Sequence, residues 1–87
     1  MRHEEFIEKC KQLAVDYVNK TTLKKGISQA TIEDAFIVWS CKTIQNSKAI
    51  LSLKHPGAPL FEMTLNGDKQ EIYVDAYVKE SHEIVKV

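Results

Sequence analysis

Apolar residues recur every three or four positions through the first twenty residues, which is the spacing that lines one face of an α-helix. The helix is predicted over residues 3–19. Acidic residues crowd its first turn and Lys20 follows its end, as the helix dipole favours. The predicted apolar face consists of Phe6, Ile7, Cys10, Leu13, Ala14, Tyr17 and Val18.

Residues 20–34 are polar and predict a connection that contains about one helical turn. Thr31, with Asp34 three residues later, resembles a capping box in which Asp replaces the usual Glu or Gln. Two strongly apolar residues of this stretch, Ile27 and Ile32, are the candidate anchors. We therefore expect a surface loop that is attached to the core at these two points.

From Phe36 onward the chain is rich in β-branched and aromatic residues, which favour strands. Turn-forming residues at 45–47 and 55–59 separate the predicted strands, and Asn66-Gly67-Asp68 is a strong hairpin signal. The strands are predicted at residues 36–44, 48–54 and 60–65, with a fourth that ends near Asp75.

The register of the last hairpin follows from its apolar residues. A four-residue loop at 66–69 pairs Met63 with Ile72 and Phe61 with Val74, so that the large apolar side chains share one face. A centre one residue earlier would pair Met63 with a polar residue. We therefore expect the first register.

The chain after Val74 allows two interpretations. Alternation through Ala76 and Val78 favours a continuing strand, whereas Asp75 as an N-cap before helically spaced apolar residues favours a terminal helix. We expect the strand to end near Asp75 and a short helix to follow it.

These elements predict an α+β fold in which an N-terminal amphipathic helix packs on a four-stranded antiparallel meander. Residues 1–87 form a single domain, and the connections are too short for parallel crossovers. One apolar helix face and one apolar sheet face can cover each other in two layers. Because so small a core stabilises a fold only narrowly, a homodimer would be one source of further stability.

Composition and charge narrow the functional classes. The chain has 87 residues, its 12 Lys and Arg balance 12 Asp and Glu, and 44% of its residues are hydrophobic, as in ordinary globular domains. No apolar run approaches the roughly 18 residues that cross a bilayer, and residues 1–5 lack the start of a signal peptide. We therefore expect a soluble, cytoplasmic protein without a membrane partner.

The cysteine and histidine residues show none of the short-range pairs that mark a metal site, such as CxxC or HExxH. Cys10 belongs to the apolar face of the predicted helix. Simple alternation places Cys41 on one strand face with Ile37 and Trp39. Both cysteines are interpreted as structural thiols. The sequence predicts no metal and no cofactor.

Enzymatic activity is not predicted. The three glycines are isolated, so no phosphate-binding loop is present, and His3 is expected in a solvated segment near the chain end. Glu62 and Glu71 could face each other across the last hairpin, but they are interpreted as part of a solvated face. The serines of the strand region lack the glycine context of a nucleophile elbow: Ser40, Ser47 and Ser52.

Charge is distributed unevenly along the chain. Residues 35–60 contain three Lys and no acidic residue, which gives +3, whereas residues 61–87 contain three Lys and six acidic residues, which gives −3. A basic half of the sheet could bind a single-stranded nucleic acid through Lys42, Lys48 and Lys54. So few charges on a neutral chain are a weak signal, and nucleic-acid binding is kept as the alternative function.

The remaining candidate surface is aromatic. If Phe61 and its neighbours face the helix, Tyr73 and Tyr77 project from the opposite face of the sheet. Phe36 and Val38 are expected to join them, because Trp39 lies on the alternate side of its strand. Exposed aromatic residues on a sheet are typical anchors for a protein partner. The alternative is a few scattered exposed apolar residues without a function.

Three strings of the strand region are distinctive together: 38–43 (VWSCKT) with Gln45-Asn46, 66–69 (NGDK) and 72–77 (IYVDAY). With Phe6-Ile7 and Cys10-Lys11 they resemble a family of small uncharacterised proteins from phages and prophages of Gram-positive bacteria. The resemblance covers most of the chain and contains no catalytic motif. It implies a phage or prophage accessory protein in the host cytoplasm that binds a host or defence protein.

Overall fold

A computed structural model describes residues 1–22 and 29–87 of the chain. Helix α1 spans His3–Thr22, and a short 3₁₀ helix at Ile32–Asp34 leads into the sheet. The strands are β1 (Ala35–Thr43), β2 (Asn46–Leu53), β3 (Leu60–Asn66) and β4 (Glu71–Tyr77). They form one sheet in the order β1-β2-β3-β4, and each strand is antiparallel to its neighbour.

This arrangement confirms the predicted α+β fold of one helix on an antiparallel meander. The expected C-terminal helix is wrong, because β4 continues to Tyr77 and residues 78–87 form neither helix nor strand. Continued pairing of Ala76 with Phe61 and of Tyr77 with Leu60 explains the longer strand. The alternation that runs past Val74 therefore indicated the correct structure.

The core lies between α1 and one face of the sheet. Helix α1 contacts β1, β2 and β3. The ring of Tyr17 on α1 packs edge-to-face against the ring of Phe61 on β3, with the ring centroids 5.4 Å apart. Alternate residues of β2 and β3 are buried, as expected for strands with one covered face. The core side chains are Phe6, Cys10, Ala14, Val15 and Val18 from α1, Ala30, and Ala49, Leu51, Leu53, Phe61, Met63 and Leu65 from the sheet.

Side-chain hydrogen bonds hold the residues that lead into β1. Asn19 donates from Nδ2 to the carbonyl oxygen of Ala30 at 3.0 Å and accepts from the Ala30 N–H at 2.7 Å. The Asp34 carboxylate accepts from the Thr31 N–H at 2.8 Å, which confirms this half of the predicted capping box. The predicted anchor Ile27 lies outside the described residues.

Strand β1 contains a β-bulge that changes which side chains face the helix. Ile37 pairs with Leu51 and Trp39 pairs with Ile50, so Val38 has no cross-strand partner. Directly paired residues of antiparallel strands lie on the same face. Trp39 therefore lies on the face away from α1, opposite to Ile37. The prediction that these two share a face is wrong, because alternation assumes an unbroken register.

The turn between β1 and β2 is Ile44-Gln45 and not residues 45–47, because Asn46 and Ser47 already pair with β1. Ile44 has a φ of 53°, in the left-handed region that β-branched residues rarely adopt. Its side chain is 86% exposed, so no packing compensates for this conformation.

Replacing Ile44 with asparagine is therefore expected to raise the free energy of unfolding by about 1 kcal/mol, because asparagine tolerates a positive φ better. Urea unfolding followed by circular dichroism measures the change. Ile44→Thr is the control, since it removes the exposed apolar group but keeps the branched Cβ. An equal gain in both variants would mean that exposure, and not backbone conformation, limits stability.

The last hairpin differs in register from the prediction. Met63 pairs with Val74 and Leu65 pairs with Ile72, two residues further along β4 than expected, with a loop at 67–70. The same face is apolar in both registers, but the observed one also buries Leu65. Loop geometry explains the shift, because Oδ1 of Asn66 accepts hydrogen bonds from the N–H groups of residues 68 and 69.

Candidate functional site

The surface of the sheet opposite α1 is the most distinctive region of the described chain, and we call it the open face. Strand pairing shows which residues share it, because directly opposite residues lie on one side. They are Phe36, Trp39, Cys41 and Thr43 on β1, Asn46, Lys48, Ile50 and Ser52 on β2, Leu60, Glu62, Thr64 and Asn66 on β3, and Glu71, Tyr73, Asp75 and Tyr77 on β4.

Aromatic side chains flank the open face on its two outer strands. Phe36 and Trp39 lie on β1, Tyr73 and Tyr77 lie on β4, and each is between 40% and 52% exposed. The outer strands are separated by three strand spacings, or roughly 14 Å. The face therefore offers two aromatic ridges, each half in solvent, on either side of the two central strands.

Val38 occupies the bulge between the two aromatic residues of β1 and is 58% exposed. The four candidate partner-binding residues, Phe36, Val38, Tyr73 and Tyr77, are thus exposed on the two outer strands. Trp39 and Leu60 belong to the same face but were not predicted. Leu60 alternates with buried Phe61, so alternation could have identified it, whereas Trp39 depends on the bulge.

The centre of the open face is polar and charged. Glu62 pairs directly with Asp75 across β3 and β4, which brings two carboxylates side by side. The Nζ atom of Lys48 lies 3.6 Å from Oε2 of Glu62 on the other side and partly offsets their repulsion. Glu71 pairs with Asn66, so the predicted facing of Glu62 and Glu71 is wrong. Lys48, Glu62 and Asp75 together give the centre of the open face a net charge of −1.

A shallow cavity of about 260 Å³ lies beside Trp39, at the end of the open face near the β1–β2 turn. Pockets for small ligands are usually larger, at about 300–1,000 Å³, and more deeply enclosed. The cavity is therefore smaller and more open than a typical small-ligand site. Its lining residues are Trp39, Cys41, Thr43, Asn46, Ser47, Lys48 and Thr64.

The two cysteines occupy opposite environments. Cys10 is fully buried between α1 and the sheet, and burial raises the pKa of its thiol to about 12. Cys41 is an exposed free thiol on the open face. The structural interpretation therefore fits the packing of Cys10, whereas Cys41 contributes nothing to the core.

This difference predicts selective alkylation, because the thiolate is the reactive form and Cys10 remains a thiol at neutral pH. Iodoacetamide is expected to add one group to the folded protein, at Cys41, and two groups after denaturation. Mass spectrometry of the peptides locates the label. A Cys41→Ser variant should remain unlabelled while folded, and labelling of Cys10 at a similar rate would contradict the described packing.

His3 is half-buried and makes side-chain contacts that the sequence-based expectation of a solvated segment did not include. Its Nε2 atom lies 3.2 Å from Oγ of Ser40 and its Nδ1 atom lies 3.4 Å from Oγ of Ser47. The ring also contacts Phe6, with the centroids 5.9 Å apart. Strand pairing creates this cluster from residues 37 and 44 positions apart, so no local motif could have revealed it. The contacts attach the start of α1 to β1 and β2.

The candidate nucleic-acid-binding lysines do not share one surface. Lys42 pairs with Ser47 and therefore lies on the α1 side of the sheet, whereas Lys48 lies on the open face beside Glu62. Lys54 follows the end of β2 and is exposed. Nucleic-acid binding thus stays a prediction that no shared basic surface supports, and a mobility-shift assay at low salt tests it.

Neither a cluster of metal-ligating side chains nor a membrane-spanning helix occurs among the residues that the structure describes. In residues 1–22 and 29–87, no group of three or more His, Cys, Asp or Glu side chains lies close enough together to hold a metal ion. Helix α1, like the rest of the described chain, offers no stretch long and apolar enough to cross a membrane as a helix.

Comparison with known proteins assigns the chain to a family but assigns no role to individual residues. Neither the curated proteins nor the solved structures contain a significant match to the chain. One protein-family model matches residues 7–87, which include all four strands and most of α1. The chain therefore belongs to the family of unknown function DUF6275.

Proposed function

We propose that the protein is a phage or prophage accessory protein that binds a host or defence protein through its open face, without enzymatic activity. The observation that carries this proposal is the exposure of four aromatic side chains on one face of the sheet. Aromatic residues are enriched at protein interfaces and dominate their binding energy, because they bury a large area with few rotatable bonds.

The shape and charge of the open face describe the partner. The open face has two aromatic ridges, Phe36 with Trp39 on β1 and Tyr73 with Tyr77 on β4. Each ridge would contact apolar groups of the partner, and the polar centre of the face would contact the partner's surface between those groups. Because the centre carries a net charge of −1 from three charged groups, a basic side chain between the ridges would be favourable. A partner with a convex, mixed apolar and basic surface fits these features.

The setting rests on sequence resemblance. The strings at 38–43 and 72–77, which support the phage or prophage assignment, form much of β1 and nearly all of β4. These two strands carry the aromatic ridges of the open face. The proposed surface therefore coincides with the most distinctive part of the sequence, in a protein that we place in the host cytoplasm.

The His3 cluster supports a structural role better than a catalytic one. A nucleophilic serine requires a histidine base that a third group orients. In the described part of the chain, both ring nitrogens of His3 face serine hydroxyl groups, and neither is hydrogen-bonded to a carboxylate. The cluster also lies where α1 joins the sheet. We therefore assign it to positioning of the helix.

The test compares how well the wild type and two double-serine variants capture a host protein. Wild-type protein, Tyr73→Ser/Tyr77→Ser and the control Ile84→Ser/Val85→Ser are immobilised and exposed to lysates of several Gram-positive bacteria. The control removes two exposed apolar side chains outside the open face. A protein captured by the wild type is then purified, and its Kd for each variant is measured by calorimetry.

The open-face variant is expected to weaken binding about thirtyfold or more, equivalent to ~2 kcal/mol, because hot-spot residues typically contribute that much. The control should bind as the wild type does. Capture of no protein above background from any lysate would contradict the proposal. Equal binding by wild type and Tyr73→Ser/Tyr77→Ser would contradict the assignment of the open face.

A further inference from the structure

Strand β4 is an edge strand with features that edge strands usually avoid. It pairs with β3 along its whole length, from Glu71 to Tyr77, and no described strand pairs with its other side. Natural sheets protect such edges with bulges, charges or proline, because free N–H and C=O groups template further pairing. The opposite edge, β1, has a bulge at Val38, whereas β4 has a regular register and no proline, and its two charged residues, Glu71 and Asp75, both lie on the open face.

The apolar side of β4 is also incompletely covered. Ile72, Val74 and Ala76 share the face of the sheet on which α1 packs, because they pair with buried Leu65, Met63 and Phe61. Ile72 is only partly buried and Ala76 is exposed. Val74, at the middle of the strand, is 40% exposed. The outer edge of the sheet therefore presents apolar side chains beside its unpaired backbone.

We propose that this edge pairs with a second copy of the chain, β4 against β4 in antiparallel orientation, with the twofold axis at Val74. This register places Val74 opposite Val74 of the second copy and Ile72 opposite Ala76, so that only apolar residues meet on the α1 side. On the open face, Tyr73 lies opposite Asp75 and Tyr77 lies opposite Glu71. No two like charges are directly opposed.

Two other registers of the β4–β4 pairing also keep the α1 helices of the two copies on one side of the joined sheet, but they are less favourable. A twofold axis at Tyr73 places Glu71 opposite Asp75 of the second copy, and an axis at Asp75 places two aspartates against each other. Only the axis at Val74 pairs all seven residues of β4 and separates the carboxylates. The charge pattern of the strand therefore selects this register for pairing with a second copy.

This pairing would join two four-stranded sheets into one sheet of eight strands. The two open faces would then be continuous, with the tyrosine ridges of both copies at the middle. The inference rests on the edge of β4, on its apolar α1 side and on the order of its two carboxylates, and not on binding of a partner by the open face. It can therefore hold or fail independently of the proposed partner.

Sedimentation equilibrium of the full chain over a range of concentrations tests this pairing. The wild type is expected to show a reversible monomer–dimer equilibrium. Val74→Lys places two ammonium groups together at the twofold axis and should weaken the dimer about tenfold or more. Val38→Lys introduces the same side chain at the other edge and should leave the dimer unchanged. Circular dichroism checks that each variant is folded.

A mixture supplies the decisive control. Val74→Lys and Val74→Glu should each be largely monomeric alone, but together they should form a heterodimer, because opposite charges then meet at the axis. A wild type that stays monomeric at every concentration would overturn the proposal. So would a loss of dimer in Val38→Lys equal to that in Val74→Lys, or a mixture of the two charged variants that stays monomeric.

Discussion

Replacing Phe61 with alanine is expected to lower the free energy of unfolding by about 3–5 kcal/mol, because the change removes a buried aromatic ring and leaves a cavity. Phe61 is fully buried at the centre of the core and contacts the ring of Tyr17. Marginally stable small domains have a total free energy of unfolding of about 5 kcal/mol, so this loss is comparable with the whole stability of the fold. The variant should therefore be largely unfolded without denaturant, as measured by circular dichroism.

Leu60 provides the matched control for this substitution. It precedes Phe61 on β3, but its side chain lies on the open face and the residue is 44% exposed. Leu60→Ala is therefore expected to lower the free energy of unfolding by less than about 1 kcal/mol. Similar losses in the two variants would mean that the two faces of the sheet are equally covered.

Replacing Gly67 with alanine is expected to lower the free energy of unfolding by about 1–3 kcal/mol, because the structure has no room for a methyl group there. A Cβ atom at this position would overlap the carbonyl oxygen of Gln45 in the β1–β2 turn. The two connections would have to separate, which would also strain the hydrogen bond from the Gly67 N–H to Oδ1 of Asn46, now 3.1 Å long. Urea unfolding measures the loss.

Asp68→Ala tests whether the loss of stability in Gly67→Ala comes from the overlap with Gln45 and not from any substitution in this loop. Asp68 is the next residue of the same loop and is exposed. Its replacement should change the free energy of unfolding by no more than about 0.5 kcal/mol. If Gly67→Ala were as harmless as Asp68→Ala, the close approach of the two connections would be wrong.

Periodicity predicted the layers of this fold correctly. The helical spacing from Phe6 to Val18 identified most of the face that packs on the sheet, because burial of one helix face imposes that repeat. Alternation along β3 likewise identified Phe61 and Met63 as core residues. Both patterns are local consequences of burial, so a single sequence contains them.

Register was less predictable, since it depends on features that alternation does not record. The bulge at Val38 reverses the faces of the residues after it, and nothing in the composition of β1 marks its position. The turn at Ile44 uses a residue that rarely adopts a positive φ. The loop after Asn66 is set by side-chain hydrogen bonds to its own backbone.

In the candidate site, too, the features that follow from local alternation are predictable and those that depend on register or distant contacts are not. Tyr73 and Tyr77 were assigned to the face away from the helix from alternation alone, and the paired residues of β3 place them there. Trp39 was assigned to the wrong face because of the bulge. The contacts of His3 with Ser40 and Ser47 join distant parts of the chain, which only the folded structure brings together.

Fluorescence of Trp39 tests the central claim, that one face of the sheet is covered by α1 and the other is free. Trp39 is the single tryptophan of the chain, so its emission reports this position alone. The folded protein, measured at a concentration where it is monomeric, should emit between the wavelengths of a buried and a fully solvated indole and be readily quenched by acrylamide, because Trp39 is half exposed. Blue-shifted emission that acrylamide cannot quench would place Trp39 inside a core and contradict the account.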